Sequence, residues 1–170
     1  MANVLFLVGS LREGAFSAEL AKTAEKVLEG KASVSYLDWK DIPLFSQDLE
    51  ADAPAAVKEA REAVLAADAI WIFSPVYNAA IPGTVKNVLD WLSRALDLSD
   101  TRGVSAINEK VTTVSVTSFA HQEDAAAQYR SLLPFIRTNF VDEVTLATNG
   151  APVDEAQLTK QADALLAAIN

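Results

Sequence analysis

Ser10, Arg12 and Ser17 fall in one short stretch, residues 9–17, together with Gly9 and Gly14. A guanidinium, two small hydroxyls and glycine-freed backbone amides are the parts of a phosphate site, above all where the stretch feeds the positive N-terminal end of a helix. The spacing is not that of a Walker A loop. The two glycines fit, but Ala15 and Phe16 stand where Lys and Ser/Thr are required. It is not G-x-G-x-x-G either, so a phosphate monoester suits the loop better than a pyrophosphate. An ordinary turn carrying a solvated arginine is the competing reading, because Gly and Ser are common turn residues.

A second loop, residues 74–83, carries Pro75 and Pro82 around Val76, Tyr77 and Asn78. Two prolines restrict the backbone and free its amides to face a flat ligand. Tyr77 can cover an aromatic ring, and Asn78 can hydrogen-bond a carbonyl or imide edge. The alternative is a stiff connection whose tyrosine packs on the next helix. Other chemistries are poorly supplied. His121 is the only histidine and there is no cysteine, so multi-His and thiolate metal sites, disulfides and cysteine catalysis are excluded. No G-x-S-x-G elbow is present. Gly9-Ser10 and Ser74-Pro75 occupy places where a phospho-accepting receiver domain has acids. With no convincing nucleophile or acid–base pair, the chemistry has to come from a cofactor.

These loops need elements to position them. Residues 4–8 form a short apolar run suited to a buried strand, followed from Phe16 by a helical pattern to Leu28 with Leu20, Ala21, Ala24, Val27 and Leu28 on one face. Gly30 suits the helix C′ position. Residues 33–37, 69–73, 111–117 and 143–147 read as further strands. Helices are expected over 54–66 (Val57, Ala60, Val64 and Leu65 facing in), 83–95 (Val85, Val88, Leu89 and Leu92 facing in) and 123–136. Pro134 should kink or end the last of these. A final helix capped by Asp154 runs to Ile169, and residues 39–52 read as a long loop folded over the sheet.

Strands alternating with helices, most of the strands continuously apolar, predict an α/β flavodoxin-like three-layer sandwich with a five-stranded parallel sheet of order 2-1-3-4-5. Residues 1–170 are expected to form a single domain. In that order strands 1, 3 and 4 are neighbours, so loops 9–17, 74–83 and 118–122 open together at the carboxyl edge beside the switch point, where ligands bind in this architecture.

Composition narrows the partners. With 23 acidic and 14 basic residues the net charge is −9, and no Lys/Arg cluster offers a footprint for nucleic acid. No apolar run approaches the roughly 18 residues of a membrane span, and no signal-peptide pattern opens the chain. A soluble cytoplasmic protein is expected.

Gly9-Ser10-Leu11-Arg12, with Phe16-Ser17 and Leu20-Ala21, resembles the GSLRxGSFNxxLA opening of the NAD(P)H-dependent FMN reductase family, which includes quinone, chromate and azo reductases. The run from Pro75 through Val76-Tyr77-Asn78, Pro82-Gly83 and Lys86-Asn87 to Asp90-Trp91-Leu92-Ser93-Arg94 closely resembles that family's PEYNxxxPGxLKNxIDWLSR motif. The resemblance covers most of residues 4–95 and thins afterwards. It implies bound FMN, NAD(P)H as reductant, a quinone, free flavin or similar small molecule as acceptor, and a homodimer or homotetramer with part of helix 83–95 at an interface. It places Ser10, Arg12 and Ser17 on the FMN phosphate, Pro75, Val76, Tyr77 and Asn78 against the isoalloxazine largely through backbone, and Ser118 on the flavin's other side. No side chain is then needed as the catalyst, and no metal.

Three departures stand out. Ala15 replaces a usual Ser and Ser17 a usual Asn. Val76 replaces a usual Glu. Phe119-Ala120-His121-Gln122-Glu123 replaces the usual Gly-Gly segment after strand 4. The bulkier loop narrows or closes the pocket, and His121 is either a flavin or substrate contact or a solvated loop residue. These departures keep open a second class of function, a degenerate flavodoxin-like module with weak or no flavin binding and a structural or regulatory role. A one-electron carrier fits less well because Arg12 intrudes in the phosphate loop. NADH against NADPH is left open.

Overall fold

The computed structural model describes residues 1–100 and 102–169. The chain runs β1 (Asn3–Val8), α1 (Phe16–Leu28), β2 (Ser33–Tyr36), α2 (Ala55–Ala66), β3 (Ala69–Pro75), α3 (Gly83–Leu92), β4 (Val111–Ser118), α4 (Gln122–Phe135), β5 (Asn139–Phe140), β6 (Thr145–Thr148) and α5 (Glu155–Ile169). All strand pairs are parallel, in the order β2-β1-β3-β4-β5, with β6 also on β4. The expected flavodoxin-like order is therefore present.

Alternate residues of the central strands go to opposite faces. Leu5, Leu7, Ile70, Ile72, Val114 and Val116 pack with α2, α3 and α4. Val4, Phe6, Ala69, Trp71 and Phe73 pack with α1 and α5. Period-two patterning explains this, because successive strand side chains point to opposite sides of the sheet. Both faces are covered by helices, which is why β1 and β3 read as continuous apolar runs.

β4 is different. Its odd positions Thr113, Ser115 and Thr117 are polar yet buried. Gln161 of α5, fully buried, satisfies the first two. Its Nε2 donates to Thr113 Oγ1 and Val114 O (both 2.8 Å). Its Oε1 accepts from Ser115 Oγ (2.9 Å), Thr145 N (3.1 Å) and Thr145 Oγ1 (2.6 Å). Trp71 Nε1 completes the set by donating to Ser115 Oγ at 2.9 Å.

This network explains one correction. The fifth strand expected over 143–147 is instead a broken edge, β5 pairing with Val111–Thr112 and β6 with Ser115–Ser118. Between them the Thr113 hydroxyl lies 3.1 Å from Val141 O and 2.9 Å from Glu143 O. A side chain takes those carbonyls, so the ladder lapses and then resumes at Thr145.

Other differences are smaller. Leu65, expected to face in, is half exposed. The inward stripe of α2 is Val57, Ala60 and Val64, and Leu65 falls about 100° around the helix from Val64. α3 ends at Leu92 rather than at 95, and Ala95 instead bridges Ser105. Pro134 is accommodated in the last turn of α4, which stops one residue later. Loop 39–52 is pinned to β1 and α3: Trp39 Nε1 donates to Val8 O, and Trp91 Nε1 and Asn87 Nδ2 both donate to Pro43 O. Trp91 is thereby buried within this chain, against Ala53 and Val57.

Gln161→Ala removes one partner each from Thr113 and Ser115 and leaves the Thr145 hydroxyl without the one it has. Unfolding in urea is expected to show a loss of about 2–4 kcal/mol, with the native fold retained by circular dichroism.

Candidate functional site

Strands β1, β3 and β4 end side by side, and the segments after them enclose a cleft of about 230 Å³. The first wall begins at Gly9. Its amide donates to Phe73 O at 2.8 Å, and a Cβ there would lie 2.6 Å from Val85 Cγ2. Only glycine lets the loop lie this close to β3 and α3. Ser10 Oγ accepts from Arg12 N (3.3 Å) and Arg12 O from Ala15 N (3.2 Å), while Gly14 takes a left-handed φ of 64°. The chain then enters α1.

Ala15 is the N-cap of α1 and supplies no side-chain cap. Its carbonyl accepts from Ala18 N and Glu19 N, so the amides of Phe16 and Ser17 are left for another acceptor. Ser17 is 1% exposed, and its Oγ has no hydrogen-bond partner among the described residues. Arg12 is exposed; its Nη1 meets only Glu13 O at 3.3 Å, and no carboxylate pairs with it among the described residues. Uncommitted donors at a positive helix end form an anion site, and a buried hydroxyl without a partner costs stability until one arrives.

The second wall is Pro75, Val76 and Tyr77. Tyr77 and Ala80 exchange backbone hydrogen bonds of 3.1 Å across a two-residue turn, with Asn78 and Ala79 both left-handed (φ 54° and 58°). Gln128 of α4 clamps this turn, donating to Ala79 O and accepting from Ile81 N. Beneath it, the fully buried Tyr129 donates to Ser74 Oγ at 2.8 Å. Burial pushes the Tyr129 phenol well above its usual range, so it serves as a neutral donor.

The third wall is Thr117, Ser118 and Phe119. Ser118 O accepts from Gln122 Nε2 and from Asn149 N, both at 2.9 Å. Phe119, three-quarters exposed, meets Phe16 edge-on with ring centroids 6.0 Å apart.

Seven of the eight residues expected from sequence line this one cleft: Ser10, Arg12, Ser17, Pro75, Val76, Tyr77 and Ser118. Asn78 is off the wall, exposed on the turn. His121 is off it too; its Nδ1 pairs with Asp124 at 2.7 Å on the exposed start of α4. Ala15, Phe16 and Phe119, from the loops expected at this edge, also line the cleft, and Thr117 and Asn149 line it without having been expected there. Thr117 was legible in principle, as the polar last residue of an otherwise inward-facing stripe. Asn149 belongs to a turn whose place beside Ser118 depends on the broken sheet edge.

A larger groove of about 350 Å³ lies between α3 and α4, lined by Ile81, Lys86, Gln128 and Phe135 among others. Its lysine is already paired, with Asp90 at 2.6 Å, and it lies away from the strand ends. The smaller cleft holds the free donors. Among the described residues no group of three or more His, Cys, Asp or Glu is placed to hold a metal ion, and no helix is long and apolar enough to cross a membrane.

Fold and cleft together define a flavodoxin-like architecture with uncommitted donors at its switch point. The chain belongs to the NADPH-dependent FMN reductase family, whose model matches residues 2–152. It is 39% identical over 98 residues to a quinone reductase of Escherichia coli (strain K12), covering 56% of this chain and 52% of that protein. It is 35% identical over 92 residues to a 2-hydroxy-1,4-benzoquinone reductase of Burkholderia sp, covering 54% and 50%. The chain thus spans about half the length of the curated relatives it matches. Among solved structures it resembles FerB, a flavoenzyme NAD(P)H:(acceptor) oxidoreductase from Paracoccus denitrificans. There the TM-score is 0.85 at 25% identity, over 99% of this chain and 97% of that one.

FMN fits the residues present. The orphaned Ser17 hydroxyl, the free amides at α1 and unpaired Arg12 suit a phosphate, and the Pro75–Val76–Tyr77 backbone offers a flat wall.

Ala79 holds a left-handed conformation that glycine adopts at no cost. Ala79→Gly is expected to raise stability by about 0.5–1 kcal/mol, read from the urea midpoint at unchanged slope.

Proposed function

We propose that this chain is an FMN-dependent NAD(P)H oxidoreductase that passes reducing equivalents to a quinone, free flavin or similar small acceptor. The observation that carries the reading is Ser17: a buried, partnerless hydroxyl at an uncapped helix N-terminus, in a cleft lined by the residues of two family motifs. The relatives' names, quinone reductase and NAD(P)H-dependent FMN reductase, support the same class.

Bound FMN would supply the two-electron chemistry, taking a hydride from NAD(P)H and yielding it to the acceptor. The chain's own residues bind and orient. Arg12, Ser10, Ser17 and the first amides of α1 hold the phosphate, the Arg12 fork giving direction as well as charge. Pro75, Val76 and Tyr77, with Asn78 through its backbone, lie along the ring. Ser118 bounds the other side, and Phe119 with Phe16 limits water at the mouth. Val76 leaves that wall uncharged. The whole chain acts as one domain, assembled as a homodimer or homotetramer.

A degenerate module with weak flavin binding is the second reading. It is favoured by Ala15, which lines the cleft without a donor, and by Phe119, which crowds it.

The test is to purify the protein, record its absorption spectrum, titrate FMN, and follow NAD(P)H oxidation with a benzoquinone or free flavin. Flavin bands or submicromolar FMN affinity with acceptor-dependent turnover are expected. A protein that ignores FMN, or binds it without oxidising NAD(P)H for any acceptor, overturns the reductase reading. Arg12→Ala is expected to weaken FMN roughly 10- to 100-fold, since a charge-assisted hydrogen bond contributes about 1.5–3 kcal/mol, while leaving the phosphate-free riboflavin unaffected.

A further inference from the structure

Asn149 lines the cleft and also a neighbouring cavity of about 270 Å³, which shares Phe16 and Thr117 with it. Its Oδ1 is shut off from solvent without a hydrogen-bond partner among the described residues. Its Nδ2 bonds to none of the described residues. Two other asparagines are committed. Asn87 uses both ends of its amide, on Phe45 N and Pro43 O, and Asn139 donates to Glu109 O. The Asn149 backbone is equally fixed, donating to Ser118 O at 2.9 Å within a turn closed by Ala151 N on Thr148 O. Gly150, at φ 82°, supplies the unusual conformation of that turn. The turn therefore holds the Asn149 amide at the cleft without using it.

On the reading of the cleft as an FMN site, we infer that Asn149 is a further cofactor contact and that its amide binds a hydroxyl of the ribityl chain. A carboxamide offers an acceptor and donors together, which is what a hydroxyl requires. A phosphate accepts only, and Arg12, Ser10, Ser17 and the α1 amides already supply donors for it. The ring has its own wall at Pro75–Tyr77. The last torsion of asparagine is broad and nearly two-fold, so turning the carbonyl toward a ligand costs little. The same turn relieves the buried orphan Oδ1.

The test compares three flavins by fluorescence titration. FMN has ribityl and phosphate, riboflavin has ribityl alone, and lumiflavin has neither. Asn149→Ala is expected to weaken FMN and riboflavin alike by about three- to ten-fold, to leave lumiflavin unchanged, and not to lower the melting temperature of the free protein. Arg12→Ala, in contrast, weakens FMN only. Wild-type protein that binds FMN together with an Asn149→Ala variant of unaltered affinity overturns this inference and leaves the reductase reading standing. An effect on FMN alone, or on lumiflavin as well, overturns the ribityl assignment. Wild-type protein that binds none of the three overturns both.

Discussion

The Gln161 side chain holds three elements in one relation. Its amide reaches β4 through Thr113, Val114 and Ser115, and β6 through Thr145, from a position fully buried on α5. A buried amide is tolerated only when its donors and acceptor are all met, and here they are. Satisfaction of that kind is geometric. An apolar contact between α5 and β4 would tolerate sliding, whereas five directed bonds set the register at which the broken edge resumes. The restart at Thr145 in turn sets the end of β6 and carries the next turn to Ser118, where Asn149 N bonds. One wall of the cleft is thus placed from its far side by a residue with no ligand role.

The other walls are placed by close backbone approach. Gly9 lets the first loop touch β3 and α3, and Gln128 and Tyr129 reach from α4 to hold the segment after β3. The supports are satisfied while the cleft is not. Ser17 Oγ and Asn149 Oδ1 are buried without partners, and α1 starts without a side-chain cap. Each such group costs about 1–3 kcal/mol when left unmade. Two of them at one switch point, in a fold otherwise well bonded there, set this cleft apart from its supports.

Departures from the usual pattern gather at the same place. Phe119 stands where small residues are usual, and it meets Phe16 at the helix start. That contact narrows the mouth of the cleft with apolar surface. His121, in the same segment, turns instead to Asp124 and serves the start of α4.

Much of this was written in the chain itself. Period-two and period-3.6 patterning determined the elements, their order and the two buried faces, because burial acts on each residue locally and leaves its trace in residue type. The motif around Arg12 and the run from Pro75 to Arg94 placed six residues on one cleft, since tight turns that present backbone amides need particular residues at particular spacings. Tertiary structure alone decided the rest. The break between β5 and β6 depends on a threonine hydroxyl taking carbonyls 28 and 30 residues away. Leu65 lies outward because the stripe of α2 is narrower than its apolar residues suggest. Trp91 is buried by a loop tied down through Pro43. Asn149 reaches the cleft only because Gln161 sets the edge that carries it. Except for Leu65, the deciding contact joins residues far apart in the chain, and directed hydrogen bonds of that range leave no periodic signal along it.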